Sequence, residues 1–201
     1  MRRGSIDVPL LTGFGPFPGV EHNPTQVLIE HFARQPDLLP LGTRLALLDV
    51  DYRAVGPQLD ALLAPRPVAV VLTGFSAQAT AITLESQASM QCAADKPDVA
   101  GFVPDVAGGP PLRCDLDLPR LQGLVQHETA CTISHDAGQY LCNFAYAHVL
   151  NARLAVPVLF VHIPAIAGTR LAETSAAALP LDTMARALAL IVAKLAYSPP
   201  L

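Results

Sequence analysis

Apolar positions along this chain follow two rhythms. Residues 8–12, 44–50, 68–73 and 156–164 form short continuous apolar runs bounded by proline and glycine. Such runs predict strands buried on both faces of a largely parallel sheet. Between them, apolar residues recur at helical spacing. Asn23 followed by Pro24 starts one such stretch, which continues to Arg34 with Val27, Leu28, His31 and Phe32 turned inward. Residues 52–63 form a second. Residues 181–196 form a closing amphipathic helix with Asp182 in its first turn. Strand, helix, strand, helix, strand is the βαβ rhythm. The weaker signals are strands at 113–116 and 131–133 and a short helix at 118–125. Residues 90–111, rich in proline, glycine and aspartate, predict loops with room for an antiparallel hairpin, and 171–178 predicts a loop. The expected fold is α/β: a single three-layer α/β/α domain spanning residues 1–201, with a mixed, mostly parallel sheet.

Composition narrows the function without choosing it. With 51% of 201 residues hydrophobic, the chain is long and apolar enough for one well-cored domain. A net charge of −4 with no basic block argues against nucleic acid or an anionic membrane surface as partner. No apolar run approaches the ~20 residues of a membrane-spanning helix. Met1-Arg-Arg is basic, but Asp7, Pro9 and Gly13 break the stretch after it, so it does not read as a signal peptide. Cys92, Cys114, Cys131 and Cys142 show no C-x-x-C spacing, which argues against a zinc site. They read as reduced thiols of a cytoplasmic protein that uses no metal and no cofactor.

Three positions carry candidate chemistry. The run Thr132-Ile-Ser-His-Asp-Ala-Gly-Gln-Tyr-Leu-Cys-Asn143 passes from a β-branched segment through Asp136 and Gly138 into a helical pattern. Tyr140, Phe144 and Ala147 fall on one face of that helix, and Leu141, Ala145 and His148 fall beside it. Cys142 therefore sits in or near a first turn, where unpaired N–H groups and the helix dipole favour a thiolate. A free cysteine is more often a small buried hydrophobe, and Cys142 alone would be read that way. His162 ends the 156–164 run, where a parallel sheet opens to its loops; the plain alternative is a core histidine bonded to a carbonyl. Glu85 follows the 68–73 strand across a loop of small residues, and alone it would be a solvated helix-start carboxylate. Together the three supply a nucleophile, a base and a group to orient the base. Gly13-Phe-Gly-Pro-Phe-Pro-Gly19 lacks the lysine of a phosphate loop and has prolines where donors are needed, so it suits an apolar wall.

These segments, taken in chain order, resemble the pyroglutamyl-peptidase I (pyrrolidone-carboxylate peptidase) family of cysteine peptidases. The Asp-Ala-Gly-x-Tyr-x-Cys-Asn run is the most specific; Phe-Val-His-Ile-Pro, the Glu85 segment and Leu-Leu-Thr-Gly-Phe-Gly-Pro-Phe add to it. The resemblance implies a cysteine-type omega-peptidase with Cys142 as nucleophile, His162 as general base and acid, and Glu85 as orienting carboxylate. It also implies Phe14 and Phe17 as aromatic walls for the lactam, a peptide with a blocked N-terminus as substrate, and a homo-oligomer, dimer or tetramer. Many bacterial members carry Gly-Gln-Ala-Gly-Gly-Arg where this chain has Gly74-Phe-Ser-Ala-Gln-Ala79. Phe75 thus replaces a glutamine that contacts the lactam, and Asp95 stands where those members place an arginine. The Ser-x-x-Ala-Thr…Thr-Leu-Glu wording is closer to animal-type members. If backbone groups near Phe75 and Leu141 replace the missing side chain, prolyl amides should be rejected strongly; if nothing replaces it, pyroglutamyl and prolyl amides should differ little. Two other readings remain: a related cysteine hydrolase acting on another N-terminal or cyclic amide, and a non-catalytic binder of peptide ends.

Overall fold

Each continuous apolar run becomes a strand of one sheet. The computed structural model describes residues 8–105 and 108–197. The Met1-Arg-Arg start, and the reading made on it, lie outside the described residues. In chain order the elements are β1 (Leu10–Phe14), α1 (Pro24–Arg34), β2 (Arg44–Leu48), α2 (Tyr52–Leu63), β3 (Val70–Phe75) and β4 (Ile82–Glu85). There follow β5 (Gln87–Ala88), β6 (Leu112–Arg113), α3 (Leu118–Val125), β7 (Cys131–Ser134), α4 (Leu141–Asn151), β8 (Val158–Ile163), β9 (Ala165–Ile166), β10 (Ala178–Leu179) and α5 (Leu181–Tyr197).

The main sheet has the order β2-β1-β3-β8-β4-β7. Strands β2, β1, β3 and β8 are parallel to one another. Strand β4 pairs antiparallel with β8 and parallel with β7, so the sheet is mixed and mostly parallel as expected. Side chains alternate across it. Leu11, Val71, Leu84, Leu159 and Val161 pack with the helices α1, α3 and α5. Leu10, Leu48, Leu72 and Phe160 face α2 and α4 on the other side. That is the three-layer arrangement. Among the described residues no helix is long and apolar enough to cross a membrane.

Several boundaries differ from expectation, and two of the differences matter. Strands β1 and β3 run two residues past the ends of their apolar runs, so Gly13-Phe14 and Gly74-Phe75 belong to strands rather than to loops. Glu85 is likewise not in a loop: it ends β4, a strand hidden from periodicity by its four-residue length. The hairpin in the proline-rich segment closes only at its base, Gln87 and Ala88 pairing with Arg113 and Leu112. Nor is the segment before α5 a plain loop. A 3-10 turn at Arg170–Glu173 precedes β10, which pairs parallel with β9. In α4 the sheet-facing stripe is Leu141, Ala145, Tyr146 and Val149, whereas Phe144 and Ala147 are only partly covered.

Candidate active site

Glu85 and His162 meet because β4 is inserted antiparallel beside β8. Glu85 stands opposite Phe160, and Thr83 opposite His162, so the carboxylate and the imidazole are diagonal neighbours on the α2–α4 face. His162 Nδ1–H donates to Glu85 Oε1 at 2.7 Å. Both are buried, at 8% and 2% exposure. Glu85 Oε2 has no partner among the described residues. The Glu85 backbone is held from behind: its carbonyl accepts from the fully buried Tyr146 Oη at 2.9 Å. Tyr146 also packs against Phe160, and Phe160 against the His162 ring at 4.9 Å between centroids.

With Nδ1 committed to Glu85, the other ring nitrogen is left for the thiol. Cys142 is the second residue of α4, and Tyr140, the N-cap, offers that helix start no side-chain acceptor. The preceding turn is built as the sequence suggests. Asp136 Oδ1 accepts from Gly138 N–H at 2.9 Å, and Gly138 takes a φ of +80° that glycine adopts without strain. Sγ sits tightly against β3: a Cβ on Gly74 would lie 2.7 Å from it and 2.8 Å from Phe160 Cζ. Burial by itself would push the His162 pKa down, but hydrogen bonds to Cys142 and Glu85 outweigh it and hold it up at about 9. Desolvation raises the thiols of Cys92 and Cys114, and pushes that of Cys131 up to about 11. All four cysteines are free.

The expected lactam-wall residues separate into two kinds. Phe14 is a core residue, 4% exposed, packed with the α2–α4 cluster. Its backbone N–H donates to Thr25 Oγ1 at 2.9 Å, and Asn23 Nδ2 ties Gly15 O at 2.9 Å, so the start of α1 shapes this loop. Phe17 is half-buried and borders a cavity of about 310 Å³ with Tyr140. Phe75 is half-buried at the end of β3, and Leu141 is buried in the core, so only its backbone is free to meet a ligand. Asp95 is exposed.

Three residues with clear roles in the geometry were not singled out from the sequence: Gly74, Asn143 and Tyr146. Asn143 follows the nucleophile candidate, is 1% exposed, and bonds Ser89 N–H at 2.7 Å, Ser89 O at 2.9 Å and Gln91 O at 3.2 Å. It fastens the 89–105 loop to α4. A polar residue one step after a helix-start cysteine was the available signal. Among the described residues, no group of three His, Cys, Asp or Glu is placed to hold a metal ion.

An acid–imidazole pair beside a helix-start thiol, set in an α/β/α sandwich, is an arrangement that suits a thiol hydrolase. Comparison narrows the class: the pyroglutamyl peptidase family model matches residues 8–197, and the chain belongs to that family. A pyrrolidone-carboxylate peptidase of Deinococcus radiodurans is 35% identical over 182 residues, covering 81% of this chain and 80% of the relative. Human pyroglutamyl-peptidase 1 is 29% identical over 179 residues, covering 77% of this chain and 78% of the relative. The crystal structure of pyrrolidone carboxyl peptidase from Thermus thermophilus superposes with a TM-score of 0.76 at 32% identity, covering 91% of this chain and 97% of that one. Pyroglutamyl peptidase I of Bacillus amyloliquefaciens gives 0.82 at 25% identity, covering 96% and 98%.

Proposed function

We propose that this peptidase removes an N-terminal pyroglutamyl residue from peptides, with Cys142 as nucleophile, His162 as general acid and base, and Glu85 as the carboxylate that orients the imidazole. The observation that carries this reading is the buried 2.7 Å Glu85–His162 bond, which fixes the imidazole and leaves its other nitrogen free to serve a thiol.

The steps follow from the positions. Sγ attacks the carbonyl carbon linking the lactam residue to the peptide. The oxyanion is received by free backbone N–H groups at the α4 start, that of Cys142 among them. His162, held protonated by its partners, gives its proton to the departing amine as the C–N bond breaks and a thioester remains. His162 then takes a proton from water, whose attack releases pyroglutamate and the thiol. Glu85 accepts the Nδ1–H bond throughout and so keeps the imidazole oriented. A blocked N-terminus leaves no amine for a carboxylate to grip, so recognition falls to apolar walls, of which Phe17 and the edge of Phe75 are the accessible ones.

The reduced thiols support a cytoplasmic setting. The exposed Leu41 and Leu47, flanking and lying on the edge strand β2, support a homo-oligomer, dimer or tetramer, which light scattering would size. The decisive assay is turnover of a fluorogenic pyroglutamyl amide. It should be cleaved by the wild type and not by Cys142→Ala; no cleavage by folded wild-type protein would favour the reading of a hydrolase for another cyclic amide.

A further inference from the structure

The carboxylate that orients the imidazole has little of its own to orient it. Glu85 Oε1 accepts from His162 Nδ1–H, and the buried Oε2 has no partner among the described residues. Beyond that one bond, the aim of the side chain is set by its main chain. Glu85 is the last residue of β4, a strand of only four residues. Pairing with β7 continues one step past it, through Ser86 N–H to Ser134 O at 2.8 Å. Two side chains reach the Glu85 carbonyl. Tyr146 Oη donates to it at 2.9 Å, and the weakly donating Cys114 Sγ lies 3.8 Å from the same oxygen.

Tyr146 joins that carbonyl to the rest of the site. It stands four residues after Cys142 in α4, so the two project from one side of the helix. It is fully buried, and a hydroxyl so far from water has to find its partner inside the protein. Its ring rests on Phe160, with centroids 5.7 Å apart, and Phe160 rests in turn on the His162 ring at 4.9 Å. One residue of the helix that presents Cys142 thus touches β4 through its hydroxyl and β8 through its ring.

We propose that Tyr146 is a positioning residue for the reaction: its hydroxyl fixes the Glu85 main chain relative to α4 and so sets the aim of the carboxylate on His162. The proposal rests on the Cys142, His162 and Glu85 roles given above. A hydroxyl that merely satisfies a buried carbonyl would add to stability and leave the imidazole where it is. A hydroxyl that aims Glu85 acts on turnover through Glu85 alone, and that dependence is what separates the two.

Tyr146→Phe isolates the hydroxyl, because the ring and its contact with Phe160 remain. On a pyroglutamyl amide, kcat should fall by about 2- to 10-fold, the span of one neutral hydrogen bond, with KM unchanged, since the fully buried Tyr146 does not meet the substrate. The low-field Nδ1 proton of His162, read by NMR, should move upfield as its bond to Glu85 lengthens. A 4-aminophenylalanine at position 146, a weaker donor of similar shape, should fall between wild type and Tyr146→Phe. The discriminating step repeats the substitution in Glu85→Ala. With no carboxylate left to aim, the added loss should shrink below about 2-fold. An equal loss in both backgrounds would overturn the proposal, and so would wild-type kcat in a folded Tyr146→Phe protein. If Tyr146→Phe does not fold, the 4-aminophenylalanine variant carries the same cycle, its smaller loss again vanishing in Glu85→Ala. The underlying reading fails separately: wild type that leaves the pyroglutamyl amide intact overturns the activity, and Glu85→Ala at the wild-type rate overturns the role of Glu85 and this proposal with it.

Discussion

Gly74→Ala is a one-carbon test of where the Cys142 thiol lies. The new Cβ would meet Sγ at 2.7 Å and Phe160 Cζ at 2.8 Å. Comfortable carbon contacts lie at about 3.5–4.0 Å, so roughly 1 Å of overlap has to be relieved. Phe160 is fully buried and cannot yield cheaply. Gly74 is not among the glycines with positive φ, so alanine meets no backbone penalty, and its stiffer unfolded chain returns about 0.4–1 kcal/mol. Overpacking of this kind costs about 1–3 kcal/mol, which for a chain of this size is a melting shift of roughly 2–10 °C. The functional loss should be larger in proportion. A 1 Å misplacement of a reacting group costs about 10²-fold in rate. The variant should therefore fold, melt a few degrees early, lose about two decades of kcat/KM on a pyroglutamyl amide, and react more slowly with iodoacetamide at Cys142. Wild-type turnover in a folded Gly74→Ala protein would refute the packing of the thiol against β3.

Other perturbations probe the rest of the site. His162→Ala should lose about 10²–10⁴-fold in kcat while keeping the fold, and Glu85→Gln should lose less, because the imidazole survives without its orienting charge; Glu85→Gln at wild-type rate would return Glu85 to a structural role. Cys142→Ala removes one of the two partners that raise His162, so NMR titration should place its imidazole lower than in wild type; an unchanged value would mean that the thiol is not bonded to it. In the wild type, kcat/KM should fall as pH rises through about 9, where His162 loses its proton, and a profile flat to pH 10 would contradict its role as acid. The same group contributes stability in full below its unfolded value near 6.5, and this is lost as pH rises through about 9. Asn143→Ala strips three bonds from residues 89 and 91, and should cost roughly 2–4 kcal/mol and raise KM more than it lowers kcat; a loss confined to kcat would show that Asn143 does not act by holding the loop.

How much of this was legible in the sequence depends on the kind of signal each element carries. Strand β8 was plain, because a strand buried on both faces leaves an unbroken apolar run. The α1 start was plain too: Asn23 accepts from Thr25 N–H as its cap, and Pro24 follows it. Strand β4 was not. Four residues with a threonine and a terminal glutamate give no period to detect, and only its insertion between β8 and β7 makes it a strand. The sequence therefore points to Glu85 as a partner for His162 but to a loop as its setting, whereas it ends a strand. The role of Gly74 depends on a contact between β3 and α4 some 70 residues apart in sequence, which no local pattern encodes. Phe14 looked like a loop aromatic because glycines and prolines surround it, yet it closes β1 and is held there by Thr25 from α1.

In the proposed reaction Cys142 carries the pyroglutamyl group between attack and hydrolysis. Rapid-quench mass spectrometry of the wild type turning over a pyroglutamyl ester tests it most directly. A transient pyroglutamyl adduct should appear on the peptide containing Cys142, with none on Cys92, Cys114 or Cys131 and none in Cys142→Ala. Turnover with no adduct on Cys142, or continued turnover in Cys142→Ala, would contradict it.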